Sequence, residues 1–237
     1  MEKSFESNNE LIKTEKSFIE EGVDFVFEQN PELDKIGMKE KYLEYLDSIF
    51  PESKVKDIYY HGTGAKEKIE SFDFAKSNFA GAVFFTKSMD FAKQFAYDDV
   101  RNGVVQGQVL DVRNSFDFSK EEHIESIRPI IKTLIEEKYE SSTGIKFKDD
   151  LQLIYNGKKI IENPILDDIL EHYMWRLQNG SWRIIETDRI IEYISKNYDS
   201  IIINERGSAN VAVFSPEQIH VLGSKDDLKK FKNFVNN

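Results

Sequence analysis

The stretch from Asp57 to Ala96, DIYYHGTGAKEKIESFDFAKSNFAGAVFFTKSMDFAKQFA, constrains the fold more than any other, because it sets glycine and polar residues directly against short apolar runs. Ile58-Tyr59-Tyr60 reads as a strand running into His61-Gly62-Thr63-Gly64. A helical patch follows, then a second strand, Gly81-Ala82-Val83-Phe84-Phe85-Thr86, then a helix opened by Ser88 as N-cap and carrying Phe91, Ala92 and Phe95. Strand, polar loop, helix, strand and capped helix in so short a span predict an α+β architecture.

A chain of 237 residues accommodates one large domain or a domain with an appendage, and 40% apolar with 13% aromatic residues excludes a disordered protein. There is no Cys, so a disulfide framework, a thiolate metal site and a thiol nucleophile are all excluded. Against 43 Asp plus Glu stand 32 Lys plus Arg, a formal charge of −11 that argues against a surface built for broad phosphate-backbone contact. A local basic groove remains compatible with that balance. The opening MEKSFESNNELIKTEKSF lacks an apolar signal core, and no apolar run approaches the roughly eighteen residues that span a bilayer. A protein of the cytoplasm, with no membrane partner, is expected.

Residues 1–56 read as an acidic helical cap, with Leu11, Phe18, Val23 and Phe27, then Met38, Tyr42, Tyr45, Leu46 and Phe50, at near-helical spacings, and with Pro31 and Pro51 ending the two segments. After the central stretch a strand Val104–Val112 leaves its pleat at Arg113-Asn114 and turns before Phe116. Residues 119–182 read as a helical insertion, with helices from Lys120 to Tyr139 and from Pro164 to Leu177 around the polar SSTGIKFKDD, closed by the turn Asn179-Gly180-Ser181. The last third predicts a helix Asp188–Asn197, a strand Ser200–Ile203, a turn Asn204–Ser208, strands Val211–Phe214 and Gln218–Leu222, and a closing helix Lys225–Val235. The expected domain is 57–224, between the cap and a C-terminal helix at 225–237.

Four positions stand out chemically. Gly62 and Gly64 after His61 let a backbone approach a flat ligand closely. Phe84 ends one strand and Phe95 lies on the next helix, so a fold-back could leave a slot between two rings, and such rings sandwich planar cationic heterocycles. Glu205 sits in a turn, where a carboxylate is aimed at a cleft edge. Each has a plain structural alternative: a satisfied histidine at a strand end, phenylalanines filling a core, a solvated turn glutamate.

Taken in order, YYHGTGAKEKIESFDF, GAVFFTKSMDFAKQFA, GQVLDVRNSFDF and YDSIIINERGSANVAVFSPEQIHVLGS resemble the His-Tyr-Glu branch of the ADP-ribosyltransferase superfamily. They resemble most the small ADP-ribosyltransferase-like domains of phage-associated polyvalent proteins. The resemblance covers roughly 57–118 and 183–224, leaves the insertion unaccounted for, and implies a split β-sheet core. It implies NAD as the substrate, with His61 contacting a ribose hydroxyl, Gly62 clamping the nicotinamide carboxamide, Thr63 and Phe85 flanking these contacts, Phe84 in the place of the motif's stacking Tyr, and Phe95 as a second ring. For the acidic position it leaves two candidates: Glu205, with Asn210 as a polar neighbour, or Asn210 itself, which directly precedes the strand NVAVF. Glu205 and Arg206 fall in the turn that faces the acceptor.

The resemblance implies a mono-ADP-ribosyltransferase that cleaves the nicotinamide glycosidic bond of NAD without a metal. The acceptor is a macromolecule, with the acidic charge favouring protein slightly over RNA or DNA, in the manner of a bacterial or phage toxin or effector. Two alternatives stand beside it: a catalytically degenerate NAD-binding or protein-interaction module on the same fold, and an unrelated α+β binding protein in which His61 and the phenylalanines are core.

Overall fold

A computed structural model describes residues 19–74, 81–97, 102–142, 144–148, 151–205 and 207–237. In chain order its elements are helices α1 (19–29) and α2 (Lys39–Ile49), strands β1 (Tyr59–Thr63) and β2 (Val83–Thr86), helix α3 (Met89–Ala96), strands β3 (Val104–Leu110) and β4 (Ser115–Asp117), and helix α4 (Glu121–Glu136). Then come strands β5 (Leu153–Tyr155) and β6 (Ile160–Glu162), helices α5 (Leu166–Gln178), α6 (Trp182–Ile185) and α7 (Asp188–Asn197), strands β7 (Ser200–Glu205), β8 (Ser208–Val213) and β9 (Ile219–Val221), and helix α8 (Lys225–Asn236). The chain forms two units, one of residues 1–72, 85–112 and 216–237, the other of residues 73–84 and 113–215. This is an α+β protein with a mixed sheet and a separate β5–β6 hairpin.

In the first unit the strand order is β2-β1-β3-β9, antiparallel throughout. The pleat sends Tyr60 to one face and Tyr59 and His61 to the other. Tyr60, with Ile58, Val105 and Val109, packs against Val23, Val26, Phe27, Tyr42, Tyr45 and Phe231 from α1, α2 and α8. Helix α3 lies close on this sheet because Gly62 has no side chain: a Cβ there would meet the Ala92 carbonyl oxygen at 1.8 Å. The predicted cap on α3 is present, Ser88 Oγ accepting from the Phe91 amide at 3.2 Å.

Buried polar groups fasten the helices to this unit. Asp227 at the start of α8 is fully buried and accepts from Tyr42 Oη at 2.6 Å, Tyr45 Oη at 3.1 Å and the Gly223 amide at 2.7 Å, with His220 Nε2 at 2.7 Å. Every one of those donors sits on α2, β9 or the turn after β9, so one carboxylate ties α8 to both.

In the second unit the order is β4-β7-β8-β2, with β4 parallel to β7 and β7 antiparallel to β8. Its core joins Phe116, Ile201, Ile203 and Ala212 of the strands to Ile127, Ile131 and Leu134 of α4, Ile169, Tyr173 and Leu177 of α5, and Ile190, Ile191 and Ile194 of α7. Strands β7 and β8 are longer than the sequence suggests: pairing runs from Ser200↔Val213 to Glu205↔Ser208, so Glu205 is the last residue of a strand rather than part of a loose turn. Gly207, at φ 80°, makes that tight reversal possible.

Two further expectations are corrected, and a third gains a strand. The span after Gly64 is irregular over its described part, because the Gln106 side chain occupies both backbone groups of Ile69, accepting from its amide at 2.6 Å and donating to its carbonyl at 3.1 Å. The rest of that predicted helical patch lies outside the described residues. The chain bends at Arg113-Asn114 as expected, and Phe116 beyond it lies in a strand the sequence did not suggest, β4, paired in parallel with Ile201. The insertion carries a β5–β6 hairpin besides its helices, and Phe147, in the stretch read as polar, is 1% exposed. Among the described residues no helix is long and apolar enough to cross a membrane.

Candidate functional site

Several predicted residues gather in each unit. In the first, His61 is the third residue of β1, and the Tyr60–Thr86 register sets Phe85 of β2 opposite it. The two rings lie 5.6 Å apart between centroids, and Phe72 closes on both, 5.1 Å edge-on from His61 and 5.3 Å from Phe85. Across the other strand pairing His61 faces Gln106, whose amide is taken up by Ile69. The imidazole thus sits half-buried in an aromatic corner of the sheet face. Gly62 and Thr63 continue β1, and Thr63 Oγ1 accepts from the Ala65 amide at 3.3 Å. Phe95 stands outward from α3, 57% exposed, with the Phe91 ring at 5.3 Å.

In the second unit Glu205 ends β7, and Asn210 lies on the neighbouring β8, 2% exposed. Asn210 Nδ2 donates to Glu205 Oε2 at 3.3 Å, and the Trp182 indole N–H donates to the same oxygen. A carboxylate only accepts, so this contact fixes the Asn210 amide orientation and turns its carbonyl oxygen away. That oxygen is buried and has no donor among the described residues. Trp182, on the short helix α6, also meets Phe84 edge-on at 4.7 Å between centroids. Phe84 therefore shares an indole with the carboxylate.

Glu186 joins this group. It caps α6 one turn beyond Trp182, its amide bonded to the Trp182 carbonyl at 2.8 Å, so both side chains leave the same side of the helix. Burial first, then the charge of Glu205, push its carboxyl up to about 7, with Arg183 opposing. Two carboxylates in contrasting surroundings result: Glu205 is met by two N–H donors, while among the described residues no donor meets Glu186.

Sequence reading missed Trp182, Glu186 and Phe72. Trp182 fell on the far edge of the segment taken as insertion, yet it follows a turn and is one of only two tryptophans in the chain, a signal of an aromatic at a defined position. Glu186 carries no local motif, since its partners come from a later strand. Arg206, expected to face the acceptor, lies outside the described residues. Among the described residues no group of His, Cys, Asp or Glu is placed to hold a metal ion.

No curated protein and no solved structure matches the chain. A family profile described as ADP-ribosyltransferase in polyvalent proteins matches residues 56–227, from just ahead of β1 into the first turn of α8. With most of its length and all of its long strands inside that match, the chain belongs to the family of ADP-ribosyltransferase domains found in polyvalent proteins.

Proposed function

We propose that the protein is a mono-ADP-ribosyltransferase that cleaves the nicotinamide glycosidic bond of NAD and passes ADP-ribose to a macromolecule in the cytoplasm. The observation that carries this is a Glu205 carboxylate held by the Trp182 indole N–H and the Asn210 amide in a chain whose residues 56–227 match the ADP-ribosyltransferase family.

Breaking the glycosidic bond builds positive charge on the ribose, so a carboxylate fixed in advance stabilises charge that grows only in the transition state. The indole of Trp182 and the amide of Asn210 hold Glu205 for that purpose. The leaving ring is already cationic in NAD and needs no acid and no metal. His61, immobilised by Phe72 and Phe85, is assigned the ribose contact, and Gly62, Thr63, Phe84, Phe85 and Phe95 the nicotinamide end. Gly62 is required for the approach of α3, so its absence of a side chain serves packing as well as any ligand.

The acceptor is proposed to be protein, since a formal charge of −11 repels nucleic acid. An effector or toxin of phage or bacterial origin fits such an activity. Incubation with NAD labelled in the adenylate, followed by separate counting of protein, RNA and DNA from a bacterial extract, tests it. Label on protein is expected; label on RNA or DNA alone overturns the acceptor assignment, and no label in any fraction overturns the transferase reading.

One observation favours a second reading, a module that binds NAD without cleaving it: position 84 is Phe where the family motif has Tyr, which keeps a stacking face and loses a hydroxyl. A rise in melting temperature with NAD but no nicotinamide release would select it.

A further inference from the structure

We infer that the outer face of the β5–β6 hairpin is a self-association surface, occupied by the same hairpin of a second copy of this chain, laid antiparallel across a two-fold axis. The inference concerns assembly and goes beyond the transferase reading without resting on it.

The sequence of the hairpin does not suit a face left in water. An antiparallel pair with one solvated face alternates apolar and polar residues, yet β5 reads Leu153-Ile154-Tyr155 and β6 reads Ile160-Ile161-Glu162. Ile154, buried, and its cross-strand partner Ile161 form the inner side. The pleat turns Leu153, Tyr155 and Ile160 outward, 58%, 43% and 64% exposed, with Tyr155 directly opposite Ile160. Of the seven large apolar side chains exposed among the described residues these are three, and Ile165, just beyond β6, is a fourth. Scattered singly they would need no explanation; gathered on one short hairpin they form a patch. Strands β5 and β6 pair only with each other, and a two-stranded sheet is marginal in water until further layers cover it.

The patch is held in place by its own unit. His172 Nδ1 of α5 donates to the Tyr155 carbonyl oxygen at 2.6 Å, and Trp175 of the same helix meets the Tyr155 ring edge-on at 5.1 Å. Asn156 Oδ1 accepts from the amides of Lys158 and Lys159, each at 3.2 Å, which fixes both residues at the tip of the turn.

Charge selects a second copy as the occupant. Lys158 and Lys159 are exposed at the tip and Glu162 at the open end, and none of the three has an ion-pair partner among the described residues. The hairpin is therefore positive at one end, apolar in the middle and negative at the other. Turned about a two-fold axis this pattern is its own complement: apolar residues meet apolar residues, and each basic tip meets the other copy's acidic end. On a chain of formal charge −11, residues 151–162 carry two Lys against one Glu, so two copies repel less here than over the molecule as a whole. So small a surface fits a concentration-dependent dimer rather than an obligate one.

The test is sedimentation velocity of the purified protein without NAD, from about 1 to about 500 μM, where wild type should pass from monomer to dimer. Ile160→Asp should raise the dissociation constant about 30-fold or more, with circular dichroism and melting temperature unchanged. The double variant Lys158→Glu/Lys159→Glu and the single variant Glu162→Lys each bring like charges together at both ends, and each should weaken association about 10-fold. An equimolar mixture of these two variants restores opposite charges at both ends and should associate nearly as well as wild type. A wild type that stays monomeric throughout the range overturns the inference and leaves the face to a different partner. A dimer that Ile160→Asp leaves intact overturns it as well, and a mixture that fails to recover association overturns the antiparallel arrangement. Nicotinamide release is not read in any arm, so failure here leaves the transferase reading untouched.

Discussion

At the scale of single residues, the indole N–H of Trp182 decides how firmly Glu205 is aimed. Trp182→Phe keeps a ring beside Phe84 and removes the donor to Glu205. A hydrogen bond to a charged group contributes about 1.5–3 kcal/mol, so kcat/KM for nicotinamide release should fall about 10- to 100-fold with the circular dichroism spectrum unchanged. Glu186 carries a cost in stability that can be measured without substrate. Its folded pKa is raised from the model-compound 4.5 to about 7, so the neutral form is favoured in the fold and stability is lost as pH climbs between those values. Glu186→Gln escapes this loss, and at about pH 8 it should be more stable than wild type by on the order of 1–2 kcal/mol once solvent screening is allowed for, read from urea midpoints; at about pH 4 the two should coincide.

At the scale of elements, β1 and α3 depend on a missing side chain and α8 on a single carboxylate. Gly62→Ala would drive a methyl into the Ala92 carbonyl, and α3 has to move; a loss of about 1–3 kcal/mol in chemical denaturation is expected, with a parallel loss of NAD-dependent activity. Tyr42→Phe removes the 2.6 Å donor from Asp227 and leaves a buried acceptor short, at a cost of about 1–3 kcal/mol. The Tyr42 hydroxyl is also held neutral well above its ordinary value, by burial first and then by the Asp227 charge. Its contribution to stability is therefore complete below about pH 10, where the unfolded tyrosine begins to ionise, and is lost above it; Tyr42→Phe should flatten this alkaline fall.

Elements whose signals are local could be foreseen. Helix α7 was legible from Asp188 to Asn197, and α3 from the Ser88 cap, because periodicity and capping lie within each segment. The span around Ile69 reads as a helical patch in isolation, but a side chain from β3, remote in sequence, takes its backbone groups. The β5–β6 hairpin carried a readable sign, Asn156-Gly157 between two apolar triplets, obscured by the helices on either side. Within the site, His61, Glu205 and Asn210 stand next to strand ends and glycines and could be picked out. Trp182 and Glu186 belong with them only through the fold.

At the scale of the whole molecule, the family match and one organised carboxylate, Glu205, underlie the proposed NAD-dependent transferase. That account predicts that activity tracks Glu205 while stability does not, because Glu205 lies at the end of β7 and its partners Trp182 and Asn210 are also held by their own elements. The most direct measurement is the rate of nicotinamide release from NAD by purified wild type and Glu205→Gln, with melting temperatures recorded on the same samples. The account predicts a loss of about 100-fold or more in the variant at a similar melting temperature. Equal rates in the two proteins, or no release by a folded wild type, would contradict it.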